Sequence, residues 1–132
     1  MLIVLPVFTL FSCEAKKHRQ QLVYKINNSY FYLGRYCVKQ LSLREDNALF
    51  NQGENLIIVV DNKNTCVKKF SQFISSNIGE KIQVFFKGKE ITHPTRIVSA
   101  MNFNYGEFYQ AVSEPEVARD IINAYENPRD SL

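Results

Sequence analysis

The chain offers few side chains for covalent or acid–base chemistry. Cysteines stand at 13, 37 and 66 and histidines at 18 and 93. One histidine in the body of the chain cannot build a usual zinc site, which draws four ligands from Cys, His and carboxylates. A thiol nucleophile needs a base within reach. Cys37 or Cys66 with His93 is the pairing this sequence offers, although both cysteines read as structural and His93, just before Pro94, as an exposed turn residue. Glu45 and Asp46 are adjacent carboxylates in a polar stretch. They have the residue types for glycoside or metal chemistry, but a solvated loop is the simpler reading. The five glycines stand singly at 34, 53, 79, 88 and 106, so no phosphate-cradling glycine loop is present. There is no nucleophile elbow, no CxxC and no HExxH. No acid, base and nucleophile converge, and the expectation is a protein without catalytic residues, metal or cofactor.

Cys13 closes an apolar run. Residues 1–12 read MLIVLPVFTLFS. The run is too short to span a bilayer, which takes about 20 apolar residues. It fits the apolar part of a secretory signal, without the positively charged start, which would place the true start codon upstream. Leu10-Phe11-Ser12-Cys13 resembles a bacterial lipobox, with Leu three before the Cys and a small residue one before it. That resemblance implies lipid on Cys13 and a location on the periplasmic side of a bacterial envelope. Residues 14–21 (EAKKHRQQ) then form a polar tether whose cations lie near anionic head groups. An ordinary cleaved signal and a buried N-terminal strand are the alternatives. Once Cys13 is set apart, Cys37 and Cys66 remain. In an oxidising compartment they can pair, closing a loop of about 30 residues worth about 3 kcal/mol. Two buried free thiols are the alternative.

The elements that must carry these residues fit one domain. The 132 residues are 45% hydrophobic and 22% charged, a globular balance. The net charge of +3 argues against a dedicated nucleic-acid binder. Lys81, Lys87 and Lys89 with Phe85 and Phe86 make only a miniature basic-aromatic surface. Strands are expected at 22–26, 30–33, 36–43, 56–60 and 81–86, in a return strand that begins at 90, is interrupted by Pro94 and resumes at 95–99, and at 107–112. The run 56–60, LIIVV, reads as a central strand buried on both faces. Cys66, Phe70, Phe73, Ile74 and Asn77 recur at helical spacing, with Gly79 as the C-terminal cap. Ser113-Glu114-Pro115-Glu116 reads as a capping box opening a last helix through Tyr125. The expected order, β-β-β-β-α-β-β-β-α, is α+β: a mostly antiparallel sheet with two helices on one face, spanning 22–126 and followed by a tail at 127–132.

From about residue 55 to 125 the chain resembles the periplasmic head subdomain of SecD, a membrane subunit of the bacterial protein-export machinery. Asn77, Gly79, Gly88, Lys89 and Pro94 fall at matching positions, as do the strand 56–60, Gly106 and the helix start at 113–118. The physics of these motifs is structural: a helix cap at Gly79, a hairpin turn at Gly88 and a bend at Pro94. The resemblance implies the fold, a periplasmic location and contact with polypeptides. It does not extend to proton-driven export, whose residues would sit in transmembrane segments. The function expected is therefore a non-enzymatic envelope lipoprotein that binds polypeptide as an accessory to protein export. Tyr30 and Tyr32 on one hairpin, and Phe86 and Lys89 on another, are the partner surfaces. A periplasmic immunity protein that blocks a toxin is the second reading, and a small hydrolase the third.

Overall fold

The computed structural model describes residues 20–44, 54–61, 65–100 and 106–126. Cys13, His18, Glu45, Asp46 and the tail at 127–132 lie outside the described residues. The strands are β1 (Leu22–Ile26), β2 (Ser29–Leu33), β3 (Val38–Leu43), β4 (Glu54–Val60), β5 (Lys81–Phe86), β6 (Lys89–Glu90), β7 (Thr95–Arg96) and β8 (Glu107–Val112). The helices are α1 (Thr65–Ser75) and α2 (Pro115–Glu126), and a single 3-10 turn covers Arg35–Cys37. The expected α+β class, with two helices and antiparallel strands, is what the chain adopts.

The strands divide into two sheets. The first has the order β2-β1-β5-β6, with β7 also paired to β5, and the second has the order β3-β4-β8. Every pairing is antiparallel. The local causes are legible. Leu22, Tyr24 and Ile26 alternate with Val23 and Lys25, so β1 has one buried face. Lys87 and Gly88 both take positive φ, 54° and 78°, which is the two-residue turn that matches the twist of the β5–β6 hairpin.

Phe70 is the keystone of the core. Its ring centroid lies 4.8 Å from Tyr24 and 4.7 Å from Phe31 in the first sheet, and 5.4 Å from Phe108 in the second. Cys66, Phe70 and Ile74, four residues apart, form the buried stripe of α1. In α2 the stripe is Ala118, Ile121, Ala124 and Tyr125, and it packs against β3, β4 and β8. Cys37 and Cys66 form a disulfide with Cα atoms 5.7 Å apart, tying the start of α1 to the turn before β3.

Four local expectations are corrected. The stretch from Tyr36 is not strand throughout, because Arg35–Cys37 turns first and β3 begins at Val38. β4 is central in its sheet, yet it alternates buried and half-buried residues rather than being buried on both faces. The capping box does not form: the Ser113 N–H, which the Glu116 carboxylate would have to accept, donates instead to Ile91 C=O at 2.8 Å. The helix therefore opens on Pro115, a residue suited to the first helical position. Gly79 does not cap α1 either. Its φ is 96°, and its N–H donates to Ile97 C=O at 2.7 Å, so it turns the chain into β5.

Candidate functional site

Between the two sheets lies a cleft of about 330 Å³. Its floor is apolar, with Phe70 and Ile74 from α1, Ile82 and Val84 from β5, Ile97 after β7, and Phe108 from β8. Thr92, Thr95, Arg96 and Ser99 line it on one side, and Tyr109, Gln110 and Ala111 on the other.

The backbone direction of β8 follows from its ladder. Gly106 C=O accepts from Val60 N–H at 2.8 Å, which makes 106 and 60 a hydrogen-bonded pair. Such pairs recur every second residue, so the backbones of Phe108, Gln110 and Val112 face β4. Those of Glu107, Tyr109 and Ala111 face away from it, and β8 is the last strand of its sheet. Ser113, next in that outward series, does find a partner in Ile91. Lys89 Nζ lies 3.2 Å from a Glu114 carboxylate oxygen at the same place, an exposed pair that adds little energy. One end of the cleft is thus closed by a bond between the sheets, and the β8 edge lines the rest.

Gln110 is the buried polar side chain of this region. Its Oε1 accepts from the Tyr24 hydroxyl at 2.9 Å, and its Nε2 donates to Ala111 C=O at 2.9 Å. The first bond ties β1 to β8 across the core. The second covers an outward carbonyl of the β8 edge. Burial pushes the Tyr24 hydroxyl well above its ordinary value, and nearby Tyr125 pushes it the same way. On the exposed side of β8, Arg44 stacks over the Tyr109 ring at 4.9 Å.

The residues singled out by sequence are scattered. Cys37 and Cys66 are bonded to each other, so neither is a nucleophile for His93, which is exposed. Among the described residues no three His, Cys, Asp or Glu side chains gather as a metal site. Tyr30 and Tyr32 are exposed on β2, at the far edge of the first sheet, with ring centroids 6.3 Å apart. Phe86 is corrected from partner surface to core, at 3% exposure, because it shares the inward face of β5 with Val84. Lys89 is exposed and pairs with Glu114. Asn77 lies in the turn after α1, where its Nδ2 donates to Phe73 C=O at 2.7 Å. Of the structural motif, Gly106 alone opens directly onto the cleft strand, and its φ of 72° explains the glycine. Sequence reasoning missed Arg96, Ile97, Tyr109, Gln110 and Ala111. The alternation of 107–112 was visible, but nothing in it marks which edge goes unpaired.

A strand edge beside an apolar cleft is a fold-level feature, so similar structures bear on it. A solved structure of SecDF, a membrane component that enhances protein export, superposes with a TM-score of 0.52 at 17% identity, over 69% of this chain and 38% of the SecDF chain. The fold is similar to part of SecDF. That likeness is one of fold alone, and it agrees with the SecD resemblance read from the sequence to that extent. The chain spans well under half the length of the SecDF chain it matches. No family model and no curated protein matches the chain. Among the described residues no helix is long and apolar enough to cross a membrane.

Proposed function

We propose that this protein is a non-enzymatic, lipid-anchored component of the bacterial cell envelope that binds extended polypeptide and serves protein export. The observation that carries the reading is the outward backbone of β8, facing an apolar cleft. A sheet edge of this kind supplies main-chain hydrogen bonds to an added strand, while neighbouring pockets take its side chains. The SecDF-like fold supports the link to export, and the lipobox at Cys13 supports the anchor. The chemistry at hand favours binding over catalysis, because the described residues lining the cleft bring apolar side chains, hydroxyls, the Gln110 carboxamide and the Arg96 guanidinium rather than an acid–base pair.

The test is site-specific photocrosslinking in cells, with a photoreactive residue in place of Tyr109 in the full chain and a second at the exposed Arg119 as control. Adducts with many exported chains from Tyr109, and not from Arg119, are expected. A single stoichiometric adduct with one folded toxin would replace the export reading with the inhibitor reading. Absence of Tyr109-dependent adducts would overturn polypeptide binding at this cleft.

A further inference from the structure

Ile91 is where the two sheets meet. Its N–H donates to Val84 on β5 at 2.9 Å, and its C=O accepts from Ser113, just past β8, at 2.8 Å. One residue thus divides its two backbone groups between the sheets. Beyond it the edges part. On one side Thr95 and Arg96 of β7 pair with Ile82 and Lys81. Ile97 N–H donates to Glu80 C=O at 2.8 Å, so the backbones of 95 and 97 face β5 and that of Arg96 faces the cleft. Pro94 has no N–H, so this stretch cannot complete a ladder of its own to β8. On the other side stand the outward groups of Glu107, Tyr109 and Ala111. Apart from the Ala111 C=O that Gln110 covers, they have no hydrogen-bond partner among the described residues.

We infer that this wedge receives an inserted β-strand, and that its ligand is an extended peptide with apolar side chains at every second position. The inference rests on the polypeptide-binding reading above and specifies the ligand class. A strand laid along β8 sends successive side chains to opposite faces. One set falls on the side of Phe108 and Gln110, over the apolar floor of Phe70, Ile74 and Ile97. The other falls on the side of Glu107, Tyr109 and Ala111, which are exposed. The site therefore reads periodicity, not composition. A segment with apolar residues at helical spacing cannot align with it. The cleft volume of about 330 Å³ lies at the lower end for ligand cavities, a size suited to a few inserted side chains. With the ligand in place the two sheets become one, in the order β2-β1-β5-β7-ligand-β8-β4-β3.

The experiment uses the full chain and two synthetic peptides of about nine residues, the length of a long strand. Both contain the same valines and threonines, strictly alternating in one and at helical spacing in the other. A third, alternating peptide is N-methylated at every second residue. Affinity is measured by titration, and amide hydrogen exchange is followed at Tyr109 and Ala111. The alternating peptide is expected to bind at least about tenfold tighter than the rearranged one, to slow exchange at both amides, and to lose affinity when the methylated residues face β8. Ala111→Pro removes a donor that the β4 ladder does not use, so the variant folds and loses the peptide. Gln110→Pro removes a ladder donor and is the contrasting control. Equal binding of the two unmethylated peptides, or binding without protection at Tyr109 and Ala111, overturns strand insertion and leaves polypeptide binding intact. No binding of either peptide overturns the insertion too, and the crosslinking at Tyr109 then decides polypeptide binding separately.

Discussion

The Tyr24 hydroxyl donates to Gln110 Oε1 at 2.9 Å across the core, joining residues 86 positions apart and the two sheets with them. Both groups are buried, and each leaves the other orphaned if removed. Tyr24→Phe and Gln110→Leu should each cost about 1–3 kcal/mol, the penalty of a buried polar group without its partner. The double variant should cost less than the sum, because neither half of the Tyr24–Gln110 bond is then left without its partner. Urea denaturation of the four proteins gives the coupling, and additive losses would show that the bond does not hold the sheets.

Two residues earlier on β1 a similar substitution tests an inserted rung. Leu22 and Leu33 are register partners in the β1–β2 hairpin. Between them stands the Tyr125 hydroxyl, which accepts from Leu22 N–H at 2.8 Å and donates to Leu33 C=O at 2.6 Å. Tyr125→Phe should destabilise by about 1–3 kcal/mol and speed amide exchange at Leu22 more than at Tyr24. Uniform acceleration along β1 would mean that the loss is global and not at this rung.

The same two tyrosines set a pH dependence. Burial raises both hydroxyls above the ordinary value of 10.0; for Tyr125 the Leu22 N–H and Arg35 oppose it without cancelling it. In the unfolded chain tyrosines lose their protons near pH 10, while the folded chain keeps them. The folded state then holds more protons, so stability is complete below about pH 10 and falls as pH rises above it. Thermal melts across that range should show the fall, and Tyr24→Phe or Tyr125→Phe should flatten it. An unchanged slope in both variants would assign the alkaline loss to other groups.

The Cys37–Cys66 bridge closes a loop with a sequence separation of 29. Replacing both cysteines by serine should cost about 3 kcal/mol and lower Tm by roughly 10 °C. The wild type in reductant should fall by a similar amount once the buried sulfurs are reached. A Tm indifferent to both would mean that the bridge contributes nothing to stability.

Cys13 carries the anchoring prediction. Cys13→Ser should abolish incorporation of a labelled fatty acid and release the protein from membranes. Retention of label would place the lipid elsewhere or refute the lipobox.

Much of the fold was legible because local patterns agree with it. Leu22, Tyr24 and Ile26 alternate as a half-buried strand must, and Cys66, Phe70 and Ile74 recur as a helix stripe must. The failures lie where a distant partner decides. Ser113 read as a helix cap because its neighbours have cap chemistry, but its N–H is claimed by Ile91, 22 residues away. Phe86 read as exposed because it sits beside lysines at a turn, but its face of β5 points inward. Tyr109 and Ala111 carry no sign of being on an open edge, since edge status belongs to the whole sheet and not to its strand.

The Tyr125 rung also constrains when the molecule can become whole. It links Leu22 to a residue 103 positions later, nearly the full described length. The mouth of the first hairpin stays open until the last helix exists. A chain emerging from a ribosome, or passing through a pore from its N-terminus, cannot seal its own beginning before its end arrives. Contacts of such long range slow folding, since the loop between them must close first. Until Tyr125 arrives, the Leu22 N–H and the Leu33 C=O at that mouth lack the hydroxyl that bridges them.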